Sequence, residues 1–392
     1  MNNIKYFTFE HSRAGFTDQL RYFNALYGLG LFMRFSYLHT PFISPRSGVG
    51  TREIPSAHEF IGVNSYFQRS GKQIDEVRTS FNIIEIALPE VVWSGDRVGL
   101  FQKLIDDTFD EVRASCNDNN NIGYPILISF KLYQGNKKKF CKLIFENIDS
   151  KPELSDLQAI YSNERIMVPH KSSFKEANIK ILLHVRQGDT SILATPWNTY
   201  IPVRFKRKDF LKEYQSYSEI EKSTIFSTSE IFSFVQVFVD YFQKEKISML
   251  LFSDGWRRAH NIVYKNVERM GWSAAKFDDL KASEADYDRH QFQDFSKFKD
   301  VLLHIGEEPE MLLDLIHSAV ESDIIVCTSQ QAMMPKLVAS LCSNKSPIVI
   351  ILYKNKIPDD SSIIADYRKR FIYVDLLRPD FPSWIKNIDC LQ

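Results

Sequence analysis

Apolar residues in this chain gather in short, nearly unbroken runs, and the runs alternate with stretches of helical spacing. "IKILLHV" (179–185), "ISMLLFSD" (247–254), "DIIVCTS" (323–329) and "SPIVIILY" (346–353) are the clearest runs. Continuous apolarity over so few residues predicts strands covered on both faces. Between them, "SEIFSFVQVFVDYFQKEK" (229–246), "EPEMLLDLIHSAVES" (308–322) and "QQAMMPKLVASLC" (330–342) space their apolar positions as helices do, the last with an internal Pro335. Strand and helix in strict alternation predict a doubly wound α/β domain on a parallel sheet, beginning near residue 178.

The first half is patterned less regularly. "IKYFTFE" (4–10) predicts a strand and "HSRAGFTDQL" (11–20) a glycine-containing loop. "QLRYFNALYGLGLFMRF" (19–35) predicts a helix, and "FSYLHTPFI" (35–43) a second strand stopped by Pro41 and the turn-forming "SPRSGVG". Further on, "SFNIIEIAL" (80–88) and "YPILISFKLY" (124–133) predict strands, and "FQKLIDDTFDEVRASC" (101–116) a helix ending before the loop "NDNNNIG". "KKKF" (137–140) reads as a solvated basic edge. With 392 residues the chain suits two domains. We divide it at 1–177 and 178–392, the first a more elaborated α/β domain.

Composition narrows the class. Hydrophobic residues make up 44% and charged ones 25%, which is the make-up of a folded core rather than of disorder. Lys plus Arg and Asp plus Glu number 49 each, so no global field draws nucleic acid or an anionic membrane. The expectation is no nucleic acid and at most peripheral membrane contact. Five scattered cysteines without a C-x-x-C spacing suggest neither a zinc site nor a disulfide framework. No run of about 18 apolar residues occurs. The expected setting is a reducing, cytoplasmic one.

In an open parallel sheet, ligands gather outside the carboxyl ends of the strands. "HVRQGD" (184–189), "SDG" (253–255) and "CTSQQ" (327–331) stand at such ends. Arg186 either pairs with Asp189 to close a turn or offers its planar fork to a phosphate. Gly188 would let backbone approach a ligand closely. His184 is a satisfied core histidine or a ligand contact. Thr328, Ser329 and Gln330 open a helix, where hydroxyls and free N–H groups serve either as a cap or as an anion cradle. Asp314, among Leu312, Leu313, Leu315 and Ile316, is either on a wet helix face or placed for a purpose. If placed, its two oxygens can accept the ring N1–H and exocyclic amine of guanine, a pair that adenine and uracil lack. "AGFTDQL" (14–20) sets Gly15, Asp18 and Gln19 between a strand and a helix. No G-x-G-x-x-G or P-loop spacing is present. "DYD" (286–288) would be the metal site of a GT-A glycosyltransferase, but it sits in an acidic loop rather than after an apolar strand.

Taken together, "GFTDQL", "LLFSDG", "HVRQGD" and "MLLDLIHSAVESDIIVCTSQQ" resemble motifs of the GT-B fucosyltransferases: the α1,6- and nodulation enzymes and, more distantly, the protein O- and α1,2-fucosyltransferases. The resemblance covers residues 10–45 and 180–345. It implies two Rossmann-like domains with an interdomain cleft, and inverting transfer from GDP-fucose to a glycan or glycolipid-precursor acceptor. No metal or other cofactor is expected. Arg186 would neutralise the departing β-phosphate, while Thr328, Ser329 and Gln330 would support the diphosphate. His184 would contact the nucleotide, and Asp314 would read guanine. Asp254 closes the intermediate motif, and Gly15 and Gln19 sit in the first loop. Asp189 and Asp18 are the candidates for the base that takes the acceptor's proton. The chain departs from the α1,6 and nodulation pattern at Gln187, where those enzymes carry a second basic residue. It departs again after Asp189, where "TSILATPW" replaces their lysine and glutamate. The same motifs also fit a transferase using another GDP-sugar, or a binding protein of this fold without catalysis.

Overall fold

Two separate sheets, each wholly parallel, carry the chain. The computed structural model describes residues 5–9, 16–40, 63–69, 81–87, 96–117, 125–131, 137–148, 173–185, 192–194, 200–202, 228–242, 246–253, 292–298, 300–305, 309–328, 333–341, 347–354 and 370–377. The chain divides into two compact units, one of Met1–His170 with Lys336–Lys345 and Asp359–Lys369, the other of the remainder.

In the first unit, β1 (Lys5–Phe9), β2 (Ser36–Tyr37), β3 (Asn82–Ala87) and β4 (Ile126–Lys131) lie in the order β2-β1-β4-β3. Helices α1 (Phe16–Phe32), α2 (Val63–Arg69), α3 (Arg97–Asn117) and α4 (Lys137–Asn147) complete it. β1 pairs with β4 from Lys5 opposite Ile126 to Phe9 opposite Phe130. Three sequence expectations shift here. The stretch read as loop at "FTDQL" is already helix, because α1 starts at Phe16. Of the strand expected over 35–43, residues 41–43 lie outside the described residues, and within 35–40 the strand is Ser36–Tyr37, paired with Tyr6 and Phe7 of β1. "KKKF" is not an edge but the first turn of α4. Phe140, Cys141, Leu143 and Ile144 recur at helical spacing and are all buried, which is what makes that segment coil.

Helix α1 is enclosed from Gln19 to Gly30. It lies so close to β1 that a Cβ on Gly30 would overlap Cε2, Cζ and Cδ2 of the Phe7 ring, whereas one on Gly28 would meet nothing. The helix ends by a Schellman turn. Arg34 sits at φ 61°, its N–H donates to Leu31 O at 2.8 Å, and the Phe35 N–H donates to Gly30 O at 3.0 Å. That turn drops Phe35 and Tyr37 into the core. Phe7, Phe9, Phe23, Tyr27, Tyr37, His39 and Phe67 then contact one another in edge-on, tilted or stacked pairs, with Phe23 and Tyr27 at 5.3 Å and His39 and Phe67 at 4.8 Å. The Tyr37 hydroxyl bonds His39 Nδ1 at 3.0 Å. Burial pushes that phenol well above its ordinary range, with the neighbouring Tyr27 adding to the shift, so it stays protonated.

In the second unit, β5 (Ile179–Val185), β8 (Ile247–Ser253), β9 (Val301–Ile305), β10 (Ile324–Thr328), β11 (Ile348–Tyr353) and β12 (Phe371–Asp375) form one sheet. The strands β6 (Ile192–Ala194) and β7 (Tyr200–Pro202) make a separate antiparallel hairpin. The order is β12-β11-β10-β5-β8-β9. Counted along the chain, that is the 3-2-1-4-5-6 order of the doubly wound nucleotide-binding fold. Helix α5 (Thr228–Tyr241) and a 3₁₀ turn (Gln293–Lys297) pack on one face. Ile181, Leu183 and Val185 meet Phe234, Phe238, Phe295 and Leu251 in that layer. Helix α6 (Pro309–Glu321) contributes buried Leu315, Ile316 and Ala319, while helix α7 (Met333–Leu341) has buried Met334 in this unit and passes at Lys336 into the stretch assigned to the first. Pro335 is in the first turn of α7, where a missing N–H costs nothing. β9 and β12 are strands that the sequence reading did not anticipate. The expected α/β class with two parallel sheets is what the structure has.

The Gly30 contact gives a paired prediction. Gly30→Ala gains about 1 kcal/mol of helix propensity, but overpacking against Phe7 costs about 1–3 kcal/mol. It should lower the urea midpoint, and Gly28→Ala should raise it. Equal effects of the two substitutions would show that the close approach does not constrain α1.

Candidate functional site

The strand order reverses between β5 and β10, and that is where a doubly wound sheet leaves a crevice at its carboxyl edge. β5 reaches this edge with His184 and Val185, β10 with Cys327 and Thr328. Cys327 is the register partner of His184. The Thr328 hydroxyl donates to the His184 carbonyl at 3.4 Å, a long bond that ties the two strand ends together. His184, Cys327 and Thr328 are all buried. Two stretches 144 residues apart in sequence, chosen separately for their polar ends, therefore meet at the switch point.

The register extends this row. His184 lies opposite Phe252 of β8, and Phe252 opposite His304 of β9. Side chains opposite one another share a face of the sheet, so Cys327, His184, Phe252 and His304 form one transverse line. The alternate line, Val185, Ser253 and Ile305, points to the face covered by α5. The His304 imidazole lies flat on Phe252, with centroids 4.5 Å apart and planes 8° off parallel. Its Nε2 is buried and makes no hydrogen bond among the described residues.

Asp314 is half-buried on α6, and it stands close enough to His304 for its charge to act on the imidazole. Two opposed influences set His304: burial lowers its pKa, the Asp314 carboxylate raises it, and burial wins. One turn further along α6, His317 and Ser318 are buried as well. The Ser318 hydroxyl has no hydrogen bond among the described residues.

A second charged group stands at the same edge. Lys354, just past β11, is only 6% exposed and donates to both carboxylate oxygens of Glu230 at 2.7 and 2.8 Å. Glu230 is in the first turn of α5. The pair fixes that helix start over the sheet. Glu230 is 40% exposed, so it is the loss of its carboxylate, which would leave the buried Lys354 ammonium uncompensated, that is costly.

Among the expected site residues, His184, Thr328 and Asp314 are described on this sheet and its helix. In the other unit, Asp18 is in the first turn of α1 and Gln19 is fully buried there. Arg186, Gly188, Asp189, Asp254, Ser329, Gln330 and Gly15 lie outside the described residues, as does "DYD" at 286–288. His304, Phe252 and Lys354 were not singled out from sequence, although one signal was there. "LLHV" (182–185) and "LLHI" (302–305) are two apolar runs ending in the same way. Among the described residues no group of three His, Cys, Asp or Glu side chains is placed to hold a metal ion. None of their helices is long and apolar enough to cross a membrane.

No protein-family model matches the chain, and no curated protein matches it either. Solved structures similar to it include an arginine-to-lysine mutant of Arabidopsis thaliana FUT1 in complex with GDP, 11% identical over 90% of this chain and 71% of that one, at a TM-score of 0.34. POFUT1 in complex with GDP-fucose is 10% identical over 90% of this chain and 98% of that one, at a TM-score of 0.38. POFUT1 with GDP gives 10%, 89%, 98% and 0.38 for the same quantities. Superpositions this loose carry no argument. The doubly wound architecture of the second unit stands on its strand order.

The balance at His304 yields a pH prediction. Its folded pKa is below its unfolded value of about 6.5, so the unfolded chain holds more protons between the two values. Stability is then fully present above about pH 6.5 and declines as the pH falls toward the folded value. His304→Gln should remove that part of the acid-side slope. Urea midpoints at pH 8 and pH 5 test it, and an unchanged slope in the variant would contradict the assignment.

Proposed function

We propose that the chain is a glycosyltransferase that moves fucose from GDP-fucose to a hydroxyl of a glycan or glycolipid-precursor acceptor, with inversion and without a metal. The observation that carries this reading is the meeting of His184 and Thr328 at the switch point. His184 opens "HVRQGD" and Thr328 leads into "SQQ", so the geometry converges two motifs on the place where a pyrophosphate binds in this fold.

In this proposal the acceptor oxygen attacks the anomeric carbon as the carbon–oxygen bond to the β-phosphate breaks. The bonding pair leaves with GDP, and the acceptor's proton passes to a carboxylate, Asp189 or Asp18. Arg186, two residues beyond His184, takes the role a divalent ion has in other transferases. Its fork meets charge that develops on the leaving phosphate, where preorganised donors have their largest effect. Ser329 and Gln330 hold the diphosphate from the other side, beside Gly188 and Asp254. Asp314 accepts the guanine edge.

One observation favours a second reading, a nucleotide-sugar-binding protein without turnover. The segment after Asp189 holds the hairpin of Ile192–Ala194 and Tyr200–Pro202, in the place where the α1,6 enzymes carry a lysine and a glutamate. Release of GDP from GDP-fucose separates the two readings.

Two measurements test the first. GDP at about 100 times its dissociation constant should stabilise the fold by about 2.7 kcal/mol, and UDP and CDP by much less; a melting temperature indifferent to GDP refutes the nucleotide reading. Arg186→Lys should reduce GDP release nearly as far as Arg186→Ala, by about 10²–10³-fold, because a point charge does not replace a planar fork. Near-normal turnover of the Lys variant would remove Arg186 from the phosphate.

A further inference from the structure

We propose that Lys354 and Glu230 form an exchangeable ion pair: the Lys354 ammonium is a cation for the donor's diphosphate, and Glu230 is the resident counter-ion that the phosphate displaces. The proposal rests on the nucleotide reading given above and adds two residues to its phosphate-binding part, with a means of letting GDP go.

Register sets Lys354 beside the end of β10. Leu352 of β11 lies opposite Thr328, and side chains so paired share a face of the sheet. That face is the one α5 covers, since Leu352 belongs to the same buried layer as Ile231, Phe234 and Phe238. Lys354, two residues further on, continues on this face. Its bonds to Glu230 in the first turn of α5 fit that direction. The ammonium therefore stands at the carboxyl edge, on the strand beside the one that leads into "SQQ".

The two partners are unequally placed. The Lys354 side chain is 6% exposed and that of Glu230 is 40% exposed. Lysine is rarely so enclosed, and as a tether such a pair is a poor device, because apolar side chains of similar size often serve stability as well or better. A fixed, enclosed ammonium with a partly exposed carboxylate suits exchange instead. Glu230 can turn to water at little desolvation cost, whereas Lys354 cannot and needs an anion. A diphosphate carries more charge than the carboxylate and has acceptor oxygens of its own, so it can take over both bonds.

Glu230 then works against retention of the product. When GDP leaves, the carboxylate returns to the ammonium, and the affinity for GDP is lowered by the strength of the pair it must break. A tether and an exchangeable counter-ion differ in sign. If the pair only fixed α5, loss of either partner would disturb the site alike. As a counter-ion, Glu230 competes with the ligand, so removing it tightens binding while removing Lys354 weakens it.

Titration calorimetry of the full chain with GDP and with inorganic pyrophosphate reads this difference. Glu230→Gln should bind both about tenfold more tightly, the size of one hydrogen bond to a charged group. Lys354→Met should bind both about tenfold more weakly. In the Lys354→Met background, Glu230→Gln should change neither affinity, because the cation it screens is gone.

Unchanged or weaker GDP binding by Glu230→Gln overturns the exchange, as does unchanged binding by Lys354→Met; GDP binding to the unaltered chain then still upholds the nucleotide reading. A gain for GDP without one for pyrophosphate removes the ammonium from the phosphate. Absence of GDP binding to the unaltered chain overturns both. Should Glu230→Gln not fold without ligand, Lys354→Met still decides, since methionine fills the volume of the lysine stem and leaves a carboxylate that water can reach.

Discussion

The pairing of β5 with β10 is the constraint on which the rest of the second unit depends. Neither strand is near the other in sequence, yet Cys327 lies opposite His184 and Thr328 reaches the His184 carbonyl. Because β5 sends its next strand to one side and receives β10 on the other, the crossing helices cover opposite faces and leave the carboxyl edge open between them. Without that reversal, "HVRQGD" and "CTSQQ" would be two unrelated loop starts. With it, they become two sides of one place.

Two charged or titratable groups near this edge feel opposing influences, while the buried His304 Nε2 and Ser318 hydroxyl make no hydrogen bond among the described residues. Lys354 is matched by Glu230, and the burial of His304 is opposed by Asp314. The first of these ties α5 to the sheet through a hydrogen-bonded ion pair. It places charge at the sheet edge without leaving the buried ammonium unsatisfied, where the desolvation cost would be severe. The first unit solves the same problem differently. Its interior is aromatic, and its buried phenol, Tyr37, stays neutral and bonded to His39.

The second half was legible in the sequence because its strands are buried on both faces. Continuous apolar runs such as "IKILLHV" mark their own ends, and β5 has those bounds. β9 and β12 escaped because partly exposed edge strands lose that continuity: Leu302 is 45% exposed and both Ile372 and Tyr373 are half-buried. In the first half, helix α1 is enclosed all round, so its start has no polar-to-apolar boundary and was placed late. Its end was placed late as well, because Arg34 adopts a left-handed conformation that is usual for glycine and gives no compositional sign. At the site, His184, Thr328 and Asp314 announced themselves as polar residues in apolar surroundings. His304 did so too, in a run too short to stand out. Phe252 could not have been found that way, since an aromatic in a strand looks like any core residue.

The register of β1 bears on how this chain comes to be folded. Lys5 is opposite Ile126, and β5 waits likewise for Ile324 to pair with Ile181. Central strands that must hold their hydrogen-bonding edges open until distant segments emerge make for high contact order and slow acquisition of structure. During synthesis the "YFTF" segment would be exposed, apolar and unpaired for as long as its partner is still being made, which is when a ribosome-associated chaperone has most to protect.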